Sequence, residues 1–391
     1  MADYVKYNGV AAADIVKIDG VAVGDIVKCD GTDKPSSGAT RIVLGFDDAS
    51  ISWANIADRA TVSTWETNYY EVGASSGDSW ELTDIACGKD GDGAAFFVAV
   101  TTSNNPEIIH DDDGDITDGA RWTEINLGAG GQPAGNLKQY TALWGNNVWV
   151  TSGAITATNK YIYRSTNGST WAAVDVSGLT DIGGISLPAE IRALTSDGAG
   201  KWWFGVGAKL YYSSDDAASW DLHATFSGEI IQDLAYTNST LVALVKESGL
   251  PHLRAAASSD TTDFSDKVQL ISSSQSLSGN NTKRMAAAAG RVVAIDTSRS
   301  MAADVSGKTI TIQGTRQDLP DSGNLNCICT DGSGTWWTGS DGASSGGTQG
   351  GDLCESTDNG LSWGSDPIAE GISASGQQKI EGITTDVYLP L

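Results

Sequence analysis

A tryptophan-centred turn recurs along the chain about every forty to fifty residues, and a period of that length restricts the architecture more than any other feature. Two copies are clean: Ser213-Ser214-Asp215-Asp216-Ala217-Ala218-Ser219-Trp220 and Ser356-Thr357-Asp358-Asn359-Gly360-Leu361-Ser362-Trp363. A third, Ser165-Thr166-Asn167-Gly168-Ser169-Thr170-Trp171, is one residue shorter. Worn copies end at Trp80, Trp122 and Phe264. Internal repeats of this size imply a stacked or radial array, in which each unit buries its face only against its neighbours.

The residue types have physical reasons. Asp or Asn folds its side chain back onto backbone amides, and Gly takes a positive φ that other residues avoid. Ser or Thr adds a second local hydrogen bond, and Trp supplies an apolar plate over the turn. The pattern S-x-D-x-G-x-[ST]-W resembles the Asp-box of the bacterial-neuraminidase-repeat propellers. The resemblance covers most of residues 41–391 and implies a β-propeller with these turns as structural hairpins between the outer strands of its blades. The residues it singles out are Ser165, Asn167, Gly168, Trp171, Ser213, Asp215, Trp220, Ser356, Asp358, Gly360 and Trp363.

A second repeat runs out of step with the first. Short apolar runs precede aromatic or β-branched runs, as in Asp84–Cys87 before Phe96–Val98, Thr141–Trp144 before Val148–Val150, and Ile191–Leu194 before Trp202–Phe204. The series continues with Asp233–Tyr236, Met285–Ala287 and Cys327–Cys329, each with a partner run, and ends at Ile380–Ile383. Alternation, aromatic content and Gly/Asp/Asn turns predict strands and hairpins. The last copy lacks its own turn, and the first Trp turn lacks an inner strand. The expectation is therefore an all-β, seven-bladed propeller over 41–391, closed by N- and C-terminal strands sharing one blade, which removes open sheet edges.

Residues 1–31 carry a different repeat, with an eleven-residue period: Asp3-Tyr4-Val5-Lys6-Tyr7-Asn8-Gly9, Asp14-Ile15-Val16-Lys17-Ile18-Asp19-Gly20 and Asp25-Ile26-Val27-Lys28-Cys29-Asp30-Gly31. Each is a β-prone run ended by Asn-Gly or Asp-Gly. So short an array lacks a core of its own, so it needs a partner surface, and residues 32–40 have linker composition. The pattern resembles short repeats of tailed-bacteriophage structural proteins, where they serve as attachment segments. This implies a docking arm using Val5, Asn8, Gly9, Val16, Asp19, Gly20, Val27, Asp30 and Gly31, or else an arm packed on its own propeller.

Composition excludes several classes. The net charge of −25 disfavours nucleic acid and anionic membranes. No apolar run approaches the roughly twenty residues that span a bilayer, and no signal peptide is visible. The five Cys read as reduced thiols, and the three His (His110, His223, His252) lie too far apart to complete a metal site. The acidic runs at Asp111–Asp115 and Asp90–Gly93 do not complete a calcium loop. No metal or cofactor is expected.

Propellers with these turns include sialidases, which also need an arginine cluster, a Phe/Tyr-Arg-Ile-Pro segment and a Tyr–Glu pair. Here the closest segment is Thr40-Arg41-Ile42-Val43, and only Arg192 and Arg284 fall on expected inner strands. Fold alone carries no chemistry. The reading is thus a non-enzymatic virion structural protein of a tailed phage (tail, baseplate, neck or capsid exterior), made in the host cytoplasm. Residues 1–31 would anchor it to other virion proteins in multiple symmetric copies. The alternative is a propeller that binds or processes host surface glycan, with the doublets Trp202-Trp203 and Trp336-Trp337 as candidate sugar platforms. A cellular factor resembling the propellers that help assemble photosynthetic complexes would carry a targeting sequence and an arginine patch, and neither is visible.

Overall fold

In the computed structural model the chain divides into two compact units, Met1–Gly38 and Ala39–Leu391. The structure describes the short strands within 6–33. From 41 to 386 it describes everything except 48–49, 58, 61–64, 69–80, 91–94, 102–106, 112–121, 128–138, 156–159, 180–181, 183–188, 258–260, 265, 271–284, 297, 320–323, 342–350, 365–366 and 369–378. The first unit holds three hairpins, β1 (Lys6–Tyr7) with β2 (Val10–Ala11), β3 (Lys17–Ile18) with β4 (Val21–Ala22), and β5 (Lys28–Cys29) with β6 (Thr32–Asp33). All nine expected docking residues, from Val5 to Gly31, lie outside the described residues.

The second unit is all-β and built of antiparallel meanders. It begins with β7 (Arg41–Phe46), β8 (Ile51–Asn55) and β9 (Glu66–Asn68). Next come β10 (Leu82–Lys89), β11 (Ala95–Thr101), β12 (Glu107–Asp111) and β13 (Trp122–Asn126). The third meander is β14 (Gln139–Gly145), β15 (Val148–Ile155), β16 (Tyr161–Ser165) and β17 (Ala172–Asp175), with β18 (Ala189–Glu190) also paired to β15. Then follow β19 (Ala193–Ser196), β20 (Trp202–Val206), β21 (Lys209–Ser213) and β22 (Asp221–Thr225). The fifth is β23 (Glu229–Thr237), β24 (Thr240–Glu247), β25 (Leu250–Ala257) and β26 (Lys267–Gln269). The sixth is β27 (Met285–Ala288), β28 (Arg291–Asp296), β29 (Arg299–Ser306) and β30 (Thr309–Asp318). The chain ends with β31 (Leu325–Thr330), β32 (Trp336–Ser340), β33 (Leu353–Ser356) and β34 (Ile380–Thr385).

Strand β34 pairs antiparallel with β7, Ile383 opposite Leu44, so the last strand joins the sheet of the first three. Each first strand lies beside the first strand of the next sheet, in the order β34, β10, β14, β19, β23, β27, β31 and back to β34. These strands line a central channel, as in a β-propeller. The expectation of a seven-bladed propeller is corrected to six blades: among the described residues six sheets have a blade's four strands, and β31–β33 stops at three. After Trp363 the described residues reach β33 through two backbone bonds, from Gly364 N to Glu355 O at 3.2 Å and from Ile368 N to Leu353 O at 2.8 Å. Pro367 between them has no N–H to donate to that edge.

The core lies between neighbouring sheets. Trp202 and Trp203 point to opposite faces of β20, as successive residues of a strand must, and each enters a different inter-sheet cluster. Trp336 and Trp337 do the same on β32. No helix among the described residues is long and apolar enough to cross a membrane.

The turns fasten one sheet to the next. Arg164 Nε donates to Asp216 O at 2.6 Å, and Asn146 Nδ2 to Asp216 Oδ1 at 2.7 Å. At the corresponding place Arg291 Nη1 donates to Asn359 O at 3.1 Å, but Ala289 occupies the hairpin position that Asn146 holds earlier. A cavity of about 190 Å³ opens there, lined by Ala289, Arg291, Gly334, Trp336 and Asn359. Ala289 also adopts φ +51°, a conformation Asn tolerates better than Ala. Ala289→Asn is expected to stabilise the protein by roughly 0.5–1.5 kcal/mol in urea unfolding. A lower midpoint would mean that the cavity cannot accept the amide.

Candidate functional site

The channel is the concave feature that all the first strands build together, and its two ends differ. At the N-terminal ends of these strands lie polar groups held by bulges. Register shifts fall at Leu82/Asp84, Gln139/Thr141, Ile231/Asp233, Leu325/Cys327 and Ile380/Gly382. A bulge re-aims a side chain, and two of these turn an Asp toward the next strand. Asp84 Oδ2 accepts from Thr141 Oγ1 at 3.0 Å and Ala142 N at 3.1 Å, and Asp233 Oδ2 accepts from Met285 N at 2.8 Å.

The same end holds a Tyr–Glu–Arg group. Strand β15 pairs with β14 on one side and β18 on the other, which brings together Tyr140 and Glu190, fifty positions apart in the sequence. Tyr140 Oη donates to Glu190 Oε1 at 2.7 Å, Arg192 Nε donates to Glu190 Oε2 at 2.7 Å, and the guanidinium lies 4.1 Å from the Tyr140 ring centre. Burial, and then the bond to Glu190, push the phenol well above its ordinary pKa, against a smaller opposing effect of Arg192. The group therefore holds its proton, whereas a nucleophilic phenolate needs the opposite shift. Sequence reasoning missed this pairing, since nothing local in either segment signals the other. The Arg cluster of a sialidase is not assembled by the expected candidates. Arg41 lies over the Trp53 ring, Arg192 is paired with Glu190, and Arg284 is outside the described residues.

Glu381, half-buried at the start of β34, is a strongly perturbed carboxyl. Burial, reinforced by Asp341, Asp47 and Glu81 against a smaller opposing effect of Lys379, raises its pKa from 4.5 to about 8. A carboxyl raised by folding contributes fully below its unfolded value, and the contribution is lost as pH climbs through the folded value. Stability of the wild type should therefore fall between about pH 4.5 and pH 8 relative to Glu381→Gln, by on the order of 2 kcal/mol once solvent screening is allowed for. Parallel pH–stability curves for the two proteins would contradict this.

At the C-terminal ends the channel is apolar. A cavity of about 140 Å³ takes residues from β10, β14, β19, β23, β27, β31 and β34, among them Leu143, Trp144, Leu234, Tyr236, Met285 and Thr385. No charged side chain among the described residues lines it.

The predicted turn residues lie between the third and fourth strands of their sheets, or after the third. Ser213 Oγ donates to Asp215 Oδ1 at 2.7 Å and accepts from Ala217 N at 3.0 Å, while Ser219 N and Oγ donate to Asp215 at 2.9 and 2.6 Å. Ser356, Asp358, Gly360 and Ser362 repeat this at 2.8, 3.0, 2.9 and 2.5 Å. In the shorter copy Gly168 N donates to Ser165 Oγ at 2.8 Å, and Thr170 N to Asn167 Oδ1 at 2.9 Å. Burial draws the Asp215 and Asp358 carboxyls upward, but these hydrogen bonds outweigh it and hold both below the ordinary value. Every one of these groups is engaged in its own turn.

The tryptophans face inward. Trp220 packs edge-on against Phe204 with centroids 4.8 Å apart, Trp171 Nε1 donates to Gly168 O at 2.7 Å, and Trp363 Nε1 to Ser300 Oγ at 2.6 Å. Trp122 and Phe264 are buried, and Trp80 lies outside the described residues. The doublets Trp202-Trp203 and Trp336-Trp337 are at most 1% exposed, so none of the four rings presents a face to a sugar. No group of three or more His, Cys, Asp or Glu side chains among the described residues is placed to hold a metal ion. Cys87, Cys327, Cys329 and Cys354 are free thiols.

No family model matches the sequence, and no curated protein matches it. Solved structures do match the fold. The puromycin hydrolase S511A mutant complexed with PGG has a TM-score of 0.53 at 10% identity, over 85% of this chain and 52% of its own. PorZ, a surface component of the type-IX secretion system of Porphyromonas gingivalis, has a TM-score of 0.50 at 11% identity, over 85% of this chain and 38% of its own. YCF48 from Cyanidioschyzon merolae has a TM-score of 0.47 at 14% identity, over 79% of this chain and 95% of its own. The chain spans about half the length of the hydrolase and less of PorZ. One neighbour is a hydrolase, but identity this low is a relationship of fold, and the fold it shows is the β-propeller.

Proposed function

We propose that this chain is a non-enzymatic structural component of a tailed-phage particle, with its Ser/Asp/Trp turns acting as Asp-boxes that rigidify a propeller. Residues 1–31 anchor it to other virion proteins, and the acidic propeller is presented outward in multiple copies. The observation that carries the reading is the eleven-residue repeat. Its three hairpins share one register, Lys6 opposite Ala11, Lys17 opposite Ala22 and Lys28 opposite Asp33, within a unit distinct from the propeller. Three two-residue hairpins cannot build a core, so burial against another chain is what makes such a segment useful. The propeller adds a support of its own, since its turn carboxylates are consumed internally and leave a rigid body.

Deleting residues 1–38 tests this. The shortened protein is expected to keep its melting temperature and near-ultraviolet spectrum, yet to be missing from phage particles purified on a density gradient. Normal incorporation of the shortened protein would overturn the anchoring role. Absence of the full-length protein from particles would overturn the virion assignment.

A further inference from the structure

Two junctions between neighbouring sheets are built alike and differ in one side chain. Where β14–β17 meets β19–β22, Asp216 N donates to Gly200 O at 3.2 Å. A Cβ placed on Gly200, at φ +102°, would lie 3.2 Å from Asp216 Oδ1 and 3.3 Å from Asn146 Nδ2, and that amide donates to the carboxylate at 2.7 Å. Where β27–β30 meets β31–β33, Asn359 N donates to Gly334 O at 3.0 Å. A Cβ on Gly334, at φ +116°, would lie 3.3 Å from Asn359 Oδ1. Here Ala289 stands where Asn146 stands in the first junction, and the cavity of about 190 Å³ opens in its place. Among the described residues no donor reaches the Asn359 side-chain oxygen.

We propose that this cavity binds a primary carboxamide supplied by another molecule, the side-chain amide of Gln or Asn. Its acceptors are Asn359 Oδ1 and Asp304, whose Oδ1 alone receives Arg291 Nε. Its donors are Arg291, which spends Nε on Asp304 and Nη1 on Asn359 O, and Trp336. Trp336 is 1% exposed, and its indole Nε1 has no hydrogen-bond partner. Trp202 Nε1 also lacks one at the filled junction, so a bond to the indole is the ligand's own addition and not a copy of Asn146. A carboxamide meets both sets, because it donates two N–H groups and accepts through its oxygen without carrying charge. A carboxylate only accepts and would stand beside Asp304, in a chain of net charge −25. An ammonium only donates and would stand beside Arg291. Size agrees, since a cavity of roughly 150 Å³ holds a benzene-sized group and the Gln side chain is smaller.

The Trp336 indole N–H resonance, assigned by its loss in Trp336→Phe, reports on the cavity. The full chain at neutral pH is titrated with N-acetyl-L-glutamine N-methylamide, with the isosteric N-acetyl-L-glutamate N-methylamide, and with free L-glutamine. The capped glutamine is expected to shift this resonance saturably, in the millimolar range that suits so small a group. The glutamate form should bind at least about tenfold more weakly, as for one buried hydrogen bond lost. Ala289→Asn supplies the amide from within and Asn359→Ala removes the acceptor, so each should weaken binding at least about tenfold while the other indole resonances keep their positions. Tighter binding of the capped than of the free amino acid assigns the site to a protein partner, and the reverse order assigns it to a small molecule. An unmoved Trp336 resonance, an equal response to the glutamate form, or undiminished binding by both folded variants would overturn the proposal.

Discussion

Gly360→Val should destabilise the propeller by about 2–5 kcal/mol, the sum of a left-handed backbone penalty of about 1–2 kcal/mol and an overpacking cost of about 1–3 kcal/mol. Gly360 adopts φ +74°, and a Cβ placed on it would lie 2.4 Å from Val293 Cγ2 on the neighbouring sheet. Gly168 meets the same situation, at φ +74° with a Cβ 2.2 Å from Phe96 Cε1, so Gly168→Val should behave alike. The third turn is the internal control. There Ala217 occupies the equivalent position at φ +62°, fully buried, with its amide on Ser213 Oγ. Ala217→Gly should be nearly neutral, because relief of the left-handed conformation offsets the loss of about one buried methyl, roughly 0.8 kcal/mol. Urea unfolding followed by tryptophan fluorescence measures all three. A Gly360→Val protein within about 1 kcal/mol of wild type would mean that the sheets are not locked together at these turns.

These turns also show what the sequence made legible and what it did not. A Ser, an Asp and a Trp within eight positions are local chemistry, and local chemistry can be read directly. The paired runs such as Asp84–Cys87 with Phe96–Val98 are likewise adjacent in the chain, and they form β10 and β11. Closure through β34 and β7 was also readable, because an unpaired run was left over at each end. The blade count failed where the argument relied on spacing alone. Nothing in the repeat registers that, among the described residues, no strand follows Trp363 until β34. The channel ends were illegible for a different reason. Tyr140 meets Glu190 only through the two-sided pairing of β15, and the apolar cavity collects two or three unremarkable residues from each strand. Glu381 reads as an exposed acid until the sheets surround it with Asp341, Asp47 and Glu81.

Trp337→Ala is expected to cost about 4–5 kcal/mol, near the top of the range for deleting a buried aromatic. The ring is fully buried in the cluster joining β31–β33 to the closing sheet, beside Leu44, Phe46 and Ile380. Its Nε1 donates to Glu355 Oε2 at 2.7 Å, and Glu355 receives the guanidinium of Arg59, which follows β8 in that sheet, with Nη2 at 2.6 Å. One residue thus couples apolar packing to a half-buried ion pair that crosses the ring's point of closure. Trp337→Phe separates the two contributions, keeping most of the packing while removing the indole donor, and should cost about 1–3 kcal/mol. A double-mutant cycle of Trp337→Phe with Arg59→Ala isolates the coupling, expected at about 0.5–2 kcal/mol, because both side chains orient one carboxylate. Breaking this cluster weakens the pairing of the last strand with the first more than any exposed ion pair could. Trp337→Ala should therefore raise hydrogen exchange of the β34 amides before it affects β19–β22 on the far side of the ring. Uniform loss of protection in all sheets would instead mark the propeller as a single cooperative unit with no weak seam at its closure.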